Sequence, residues 1–428
     1  VTDHKWGFRT RSLHAGGQPD AATGARAVPI YQTTSYVFED TADAANLFAL
    51  QKFGSIYSRI SNPTVAAFEE RMASLEGGIG AVATSSGQAA EFLTFTTLAG
   101  SGDHIVASAN VYGGTYTQLD VTLRRLGIET TFVPGDQPQA FADAIRPNTK
   151  AIFTETIGNP TGLVADFAGL SAVANAAGVP LVVDNTFATP YLCRPLEHGA
   201  DIVVQSATKF IGGHGTTIGG VIVDSGTFDW TKGRFPGFTE PVASYNGLIW
   251  AENFGEYAFC SKLRAEQLRD IGASLSPFNA FLLLQGLETL PQRMDNHVAN
   301  AQAVAAWLEN RDDVAWVAYP GLSSSPSHKL AATYLPDGPG AIFTFGIAGG
   351  RDSGVKFIEA LEMISHLANV GDARTLVIHP ASTTHQQLSP DELVAAGVTP
   401  DMVRLSIGLE DLEDILYDLD QALTKAAE

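Results

Sequence analysis

Asp201-Ile202-Val203-Val204-Gln205-Ser206-Ala207-Thr208-Lys209-Phe210-Ile211-Gly212-Gly213-His214-Gly215 is an apolar strand that runs directly into a polar, glycine-rich turn carrying one lysine. Ile202-Val203-Val204 shows no polar alternation, so the strand reads as covered on both faces, the condition of a parallel sheet packed between helices. Lys209 follows the hydroxyls of Ser206 and Thr208 and precedes the turn Gly212-Gly213-His214-Gly215. A lysine that condenses with an aldehyde must reach it from a fixed strand end, while nearby hydroxyls bind phosphate and glycines let the backbone approach closely. Taken alone, the segment also fits a surface lysine after an edge strand.

Comparable β-rich runs occur at 80–84, 104–107, 129–133, 151–155, 181–184 and 219–223, with helical stretches at 88–98, 116–126 and 170–177 between them. This alternation predicts an α/β fold with a mainly parallel central sheet covered by helices. Residues 1–60, rich in Gly, Thr and Tyr and without clear periodicity, read as an extended N-terminal arm. Helical spacing of Val65, Phe68, Met72 and Leu75, closed by Gly77-Gly78, opens a large domain at 61–265. Within that domain, 226–258 breaks the rhythm with Lys232-Gly233-Arg234-Phe235-Pro236-Gly237-Phe238 and reads as an insertion or long loop. A helical stretch at 259–308, strands at 341–347 and 403–407 and an amphipathic helix at 412–425 predict a smaller C-terminal α+β domain at 266–428.

The composition narrows the partners. With 26 Lys+Arg against 46 Asp+Glu the net charge is −20, which disfavours nucleic acid or an anionic membrane surface. The cysteines Cys193 and Cys260 have no paired spacing, so neither a disulfide framework nor a metal site is expected, and both read as buried. The first residues lack the apolar core of a signal peptide and no apolar run reaches spanning length, so the expected compartment is the cytoplasm.

Several other residues stand where side chains of their type need a reason. Asp184 ends the strand Leu181-Val182-Val183-Asp184, at the edge where a parallel sheet opens its ligand crevice. It suits a protonated ring nitrogen, or a cap on the following turn. Ser85-Ser86-Gly87-Gln88 joins a strand to a helix and offers backbone amides and a helix N-terminus to a phosphate, although such turns also serve capping alone. Tyr57 and Arg59 precede the first core helix, a phenol and a fork donor suited to phosphate. Tyr112, before Gly113-Gly114, has an aromatic face for a planar ring. Arg404 alternates with apolar residues inside the strand Val403-Arg404-Leu405-Ser406-Ile407, where an unpaired charge is costly. It wants an anion, either a substrate carboxylate or an internal Asp or Glu.

In this order, Tyr57-x-Arg59-x-x-Asn62-Pro63-Thr64, Ser86-Gly87-Gln88-Ala89, Tyr112-Gly113-Gly114-Thr115, Asn159-Pro160, Asp184-Asn185-Thr186, Ser206-x-Thr208-Lys209 and Arg404-Leu405-Ser406 resemble the Cys/Met-metabolism family of PLP-dependent enzymes. The resemblance spans essentially the whole chain and implies the transferase fold of type I with pyridoxal 5'-phosphate as cofactor. It implies that Lys209 holds the cofactor as a Schiff base and moves protons, that Asp184 pairs with the ring nitrogen and that Tyr112 stacks on the ring. Phosphate contacts fall to Gly87, Gln88, Ser206 and Thr208, and to Tyr57 and Arg59 reaching into a neighbouring subunit. Asn159 lies beside the ring hydroxyl, and Arg404 with Ser365 and Asn159 binds the substrate's carboxylate end. The implied assembly is a homo-oligomer, a tetramer built from dimers that share active sites.

Within the family, the aromatic insertion and the stretches 366–372 and 379–385 look most like O-acetylhomoserine sulfhydrylases. These replace the acetoxy group of O-acetylhomoserine by sulfide or methanethiol in methionine biosynthesis. Ser244-Tyr245-Asn246-Gly247 departs from the pattern, because many sulfhydrylases carry a His before the Gly. The same resemblance leaves cystathionine γ-synthase, or a methionine or cystathionine γ-lyase, as alternatives. A non-catalytic scaffold is disfavoured, since Lys209, Asp184 and Arg404 are all present.

Overall fold

The computed structural model describes residues 4–135, 137–383, 386, 393 and 397–427. The first sheet contains β1 (Gly80–Thr84), β2 (His104–Ser108), β3 (Glu129–Val133), β4 (Thr149–Glu155), β5 (Leu181–Asp184), β6 (Ile202–Gln205) and β7 (Gly220–Asp224). Their order is β1-β7-β6-β5-β4-β2-β3. The pairs β2 with β3, β2 with β4, β4 with β5 and β5 with β6 are parallel, whereas β7 runs against both β1 and β6. The sheet is therefore mainly parallel, as the alternation of runs predicts.

Period-two geometry divides each strand between two cores. Ala83, Val106, Ile152, Val183 and Val203 pack with Phe68 and Met72 of the helix Pro63–Glu76 and with Phe167 and Leu170 of the helix Phe167–Ala177. Val82, Ile105, Phe153, Val182 and Val204 pack on the other face with Leu93 and Phe95 of the helix Gly87–Leu98 and with Leu119 and Leu123. Burial on both sides is why these strands lack polar alternation. One consequence governs the site: the carboxyl ends of β1, β4, β5 and β6 come together at one edge of the sheet, where an α/β fold holds its ligand.

Three expectations change. The stretch 226–258, expected as an insertion or long loop, contains the short helices Pro236–Thr239 and Trp250–Phe254. Trp230, Phe235, Phe238 and Trp250 are buried in the second core, with Trp230 stacked 4.2 Å from Phe238 and 5.6 Å from Phe259. The N-terminal arm is not wholly extended, since it forms helices at Phe8–His14 and Thr41–Phe48, the second capped by Asp40 accepting from the Asp43 amide. The helical stretch 259–308 is interrupted: Gly272 adopts φ +82°, and Pro277 restarts the chain as the helix Pro277–Glu288. That helix packs back on Pro63–Glu76 before the helix Leu290–Glu309 leads to the second sheet.

The second sheet comprises β8 (Val314–Ala318), β9 (Ile342–Ile347), β10 (Ser365–His366), β11 (Leu376–Ile378) and β12 (Met402–Ser406), in the order β10-β11-β12-β9-β8. The helix Leu412–Ala427 closes over it and buries Ile415, Leu419, Ala422 and Leu423. Both cysteines are free and buried, as expected. Among the described residues no helix is long and apolar enough to cross a membrane.

Candidate active site

A cavity of about 290 Å³ lies at the carboxyl edge of the first sheet, between that edge and the loop that follows β10. It is lined by Ser86, Gly87 and Gln88 after β1, Tyr112 after β2, Glu155 at the end of β4, Asp184 at the end of β5, and Ser206, Thr208 and Lys209 after β6. Ala368, Asn369, Val370 and Arg404 close it from the second sheet. Two turns make a corner suited to a phosphate, the strand-to-helix turn after β1 and the turn between β6 and β7. Ser86 caps the helix Gly87–Leu98 by accepting from the Ala89 amide at 3.1 Å. A Cβ on Gly87 would stand 2.6 Å from the Ser206 Cβ, so only glycine brings this helix N-terminus against the Ser206 turn. The Ser206 hydroxyl has no partner among the described residues and is available to an anion. Thr208 differs: its hydroxyl donates to the Gly219 carbonyl at 3.2 Å and accepts from the Gly219 amide at 3.1 Å, which ties the Lys209 turn to the start of β7.

Lys209 is held out of bulk water, and burial, followed by the Arg404 charge, pushes its ammonium down to about 8. Its Nζ donates to Asn369 Oδ1 at 2.6 Å. Arg404, 4% exposed on β12, donates to Asn159 Oδ1 at 3.1 Å and to the Asn369 carbonyl at 3.5 Å. No carboxylate among the described residues pairs with it, and burial lowers it to about 10. Of the two anions the sequence leaves open for Arg404, an internal Asp or Glu is thereby removed among the described residues. The guanidinium is a buried cation with neutral partners, facing a cavity.

The opposite wall is acidic. Asp184 accepts from the Thr186 amide at 2.7 Å. Glu155 accepts from the amides of Tyr112 at 2.7 Å and Asn159 at 2.9 Å, so one carboxyl sets the backbone of two other cavity residues. Glu91 accepts from Gln88 Nε2 at 2.9 Å and from the Thr115 hydroxyl at 2.9 Å. Burial raises Glu91, Glu155 and Asp184 above the usual carboxylate range; for the two glutamates the Asp184 charge adds to it. The Tyr112 ring lies over Gly114, where any Cβ would come within 2.4 Å of it, and remains 41% exposed at the cavity mouth.

Most of the sequence-predicted residues meet here: Lys209, Asp184, Ser206, Thr208, Gly87, Gln88, Tyr112, Asn159 and Arg404 line one cavity. Ser365 does not. It begins β10, its amide bonding the Thr375 carbonyl, and of the residues that follow it Ala368, Asn369 and Val370 line the cavity. Tyr57 and Arg59 also lie outside this cavity, exposed and in contact with each other, the guanidinium 5.4 Å from the ring. Ser244-Tyr245-Asn246-Gly247 stands apart from the cavity, with Tyr245 donating to the Ala265 carbonyl. Of the stretch 379–385, Thr384 and His385 lie outside the described residues. Sequence reasoning missed Asn369, Glu155 and Glu91. A carboxylate closing the apolar strand β4, as Asp184 closes β5, and one on the buried face of an apolar helix were the available signals.

The donor set fits pyridoxal 5'-phosphate. It offers a lysine with a depressed pKa for the aldehyde, a glycine-lined helix N-terminus for the phosphate, and a half-buried carboxylate for the ring nitrogen. The relatives agree. The chain is 56% identical to a homocysteine synthase of Schizosaccharomyces pombe over 422 residues, covering 98% of each. It is 52% identical to an O-acetyl-L-homoserine sulfhydrylase of Leptospira meyeri, covering 97% of this chain and 96% of that protein. Its fold superposes with a TM-score of 0.96, at 39% identity, on a Campylobacter jejuni structure described as an O-acetylhomoserine (thiol)-lyase, covering 98% of this chain and 100% of the other. That structure carries a pyridoxyl-lysine phosphate. With the match of residues 9–424 to the family model, the chain belongs to the Cys/Met metabolism PLP-dependent enzymes.

Proposed function

We propose that this enzyme replaces the γ-acetoxy group of O-acetyl-L-homoserine by sulfide or methanethiol, giving L-homocysteine or methionine and acetate. The observation that carries the reading is Arg404, a buried and carboxylate-free guanidinium across the same cavity as Lys209, which is what an amino-acid substrate requires. The names of the full-length relatives supply the ester and the thiol. When bound, the cofactor supplies an electron sink for charge developing at the substrate Cα. Lys209 Nζ, its ammonium lowered to about 8 by burial, takes up and returns protons at the substrate carbons, and Asn369 Oδ1 holds that amine in place. Arg404 binds the carboxylate as a fork and so fixes which Cα bond faces the amine. Pyridoxal 5'-phosphate in this cavity would have Asp184 to pair with its ring nitrogen, Tyr112 for its ring, Asn159 for its ring hydroxyl, and Gly87, Gln88 and Ser206 for its phosphate.

The same reading makes the enzyme a cytoplasmic homotetramer of dimers that share active sites. Tyr57 and Arg59 then complete a neighbour's phosphate site. Their exposure here supports this, as do the bare side chains of Val37 at 100%, Phe53 at 85% and Phe48 at 62% on the same arm. Product analysis tests the reaction: O-acetylhomoserine and O-succinylhomoserine are each incubated with sulfide, methanethiol or cysteine. Homocysteine or methionine with release of acetate is the expected outcome. Cystathionine as the main product, or 2-oxobutanoate, would instead assign a cystathionine synthase or a lyase.

A further inference from the structure

Lys209 sits in the middle of a turn whose two halves are held from different sides. The half before it is tied to the first sheet: the Ser206 amide donates to the Thr186 hydroxyl at 2.8 Å, and Thr208 exchanges hydrogen bonds with Gly219. The half after it is held by Arg293, on the helix Leu290–Glu309. Arg293 Nη1 donates to the Phe210 carbonyl at 2.7 Å, and Nη2 to the Ile211 carbonyl at 3.3 Å and the Gly286 carbonyl at 2.8 Å. Its Nε donates to the Thr289 hydroxyl at 3.2 Å, which orients the fork. Phe210 and Ile211 are the two residues that follow Lys209, and the nearby Gly212 and Gly213 amides donate instead to the carbonyls of Ala207 and Lys209. Buried carbonyls need donors, and a guanidinium presents several in one plane. Arg293 is 6% exposed, and no carboxylate among the described residues pairs with it. The fit is close. A Cβ on Gly213, which adopts φ +69°, would stand 2.3 Å from Nη1, so only glycine lets the turn close over the guanidinium. On the other side of the turn, a Cβ on Gly371 would stand 2.6 Å from the Phe210 nitrogen, which places the loop carrying Asn369 against the residue that Arg293 grips.

We propose that Arg293 is a positioning residue: from outside the cavity it grips the backbone just after Lys209 and so fixes where the Lys209 amine stands for cofactor attachment and proton transfer. This rests on the reading of Lys209 as the residue that takes the cofactor. The phosphate corner is tied separately, through Thr186 and Gly219, so losing the guanidinium misplaces the amine while that corner stays in place. A reacting group displaced by about 1 Å loses on the order of 100-fold in rate.

The test uses cofactor-free full-length protein, comparing the parent with Arg293→Met, Arg293→Lys and Lys209→Ala. Two probes separate the amine from the phosphate corner. Pyridoxal 5'-phosphate has an aldehyde that condenses with lysine, and its attachment is followed by stopped-flow absorbance at saturating concentration. Pyridoxine 5'-phosphate is an alcohol that cannot condense, and its affinity is measured by calorimetry. Arg293→Met should slow attachment about 10- to 100-fold while the affinity for pyridoxine 5'-phosphate stays within about threefold. Arg293→Lys, which keeps the charge without the fork, should fall between the parent and Arg293→Met. An attachment rate within about threefold of the parent in Arg293→Met overturns the proposal. An equal loss with both probes also overturns it, because a merely loosened fold weakens both. If a thermal melt shows that Arg293→Met does not fold, Arg293→Lys is judged by the same two outcomes. Lys209→Ala separates the two readings. If it still acquires the absorbance of covalently held cofactor, the role of Lys209 fails whatever the Arg293 variants do. If it does not, and the Arg293 variants keep the parent's rate, only the role of Arg293 falls.

Discussion

Arg404→Gln separates an anion-binding arginine from a structural one. The guanidinium is buried and its hydrogen bonds reach only the Asn159 side chain at 3.1 Å and the Asn369 carbonyl at 3.5 Å. No carboxylate in the described chain pairs with its charge, and burial drives it down to about 10. Removing it therefore relieves the fold, and the melting temperature should hold or rise. The substrate carboxylate meets the opposite situation. Losing one partner of a buried, hydrogen-bonded charge pair costs about 3–5 kcal/mol, or roughly two to nearly four powers of ten at about 1.4 kcal/mol per decade. The assay is kcat/KM for O-acetyl-L-homoserine at fixed sulfide, followed by homocysteine formation, with cofactor absorbance and a thermal melt on the same sample. A kcat/KM within about threefold of the parent would refute the carboxylate role. So would a large fall in melting temperature with cofactor still bound, since an arginine that mattered to the fold would have to be paired in it.

Lys209→Ala should lose both turnover and the absorbance of covalently held cofactor, and full activity in that variant would sink the assignment of the lysine. The pH dependence of the cofactor-free protein follows from the depressed value of about 8. The neutral amine is the nucleophile, so the rate of cofactor attachment should rise about tenfold per pH unit below that value and level off above it. For stability the sign is the reverse of a salt-bridged lysine. The folded value lies below the unfolded value of about 10.4, so Lys209 destabilises the cofactor-free fold in full below pH 8, and that penalty is relieved as pH rises from 8 toward 10.4. Attachment rates that keep rising past pH 10 in stopped-flow absorbance would show an ordinary, solvated lysine.

What could be read from the chain alone is what is anomalous locally. Continuous apolar runs mark strands covered on both faces, and all seven strands of the first sheet lie within two residues of their expected positions. Asp184, Lys209 and Arg404 were legible for the same reason: each is a charge at the end of, or inside, a segment that otherwise excludes charge. The insertion at 226–258 was not, because its Trp and Phe residues have no period to show which core they enter. Ser365 was chosen by resemblance, and the path of the chain after β10 brings Asn369 to Lys209 instead.

Glu91 marks the limit more sharply. Its burial could be inferred from its apolar neighbours on the helix, but only the parallel pairing of β4, β5 and β6 puts it on one cavity wall with Asp184 and Glu155. The chemistry of this cavity depends on which of its acids keep their protons. That is set by the spacing of strand ends and by the backbone amides aimed at each carboxyl, Thr186 at Asp184 and both Tyr112 and Asn159 at Glu155. Glu91 receives side-chain donors and no backbone amide among the described contacts, and burial, followed by the Asp184 charge, raises it.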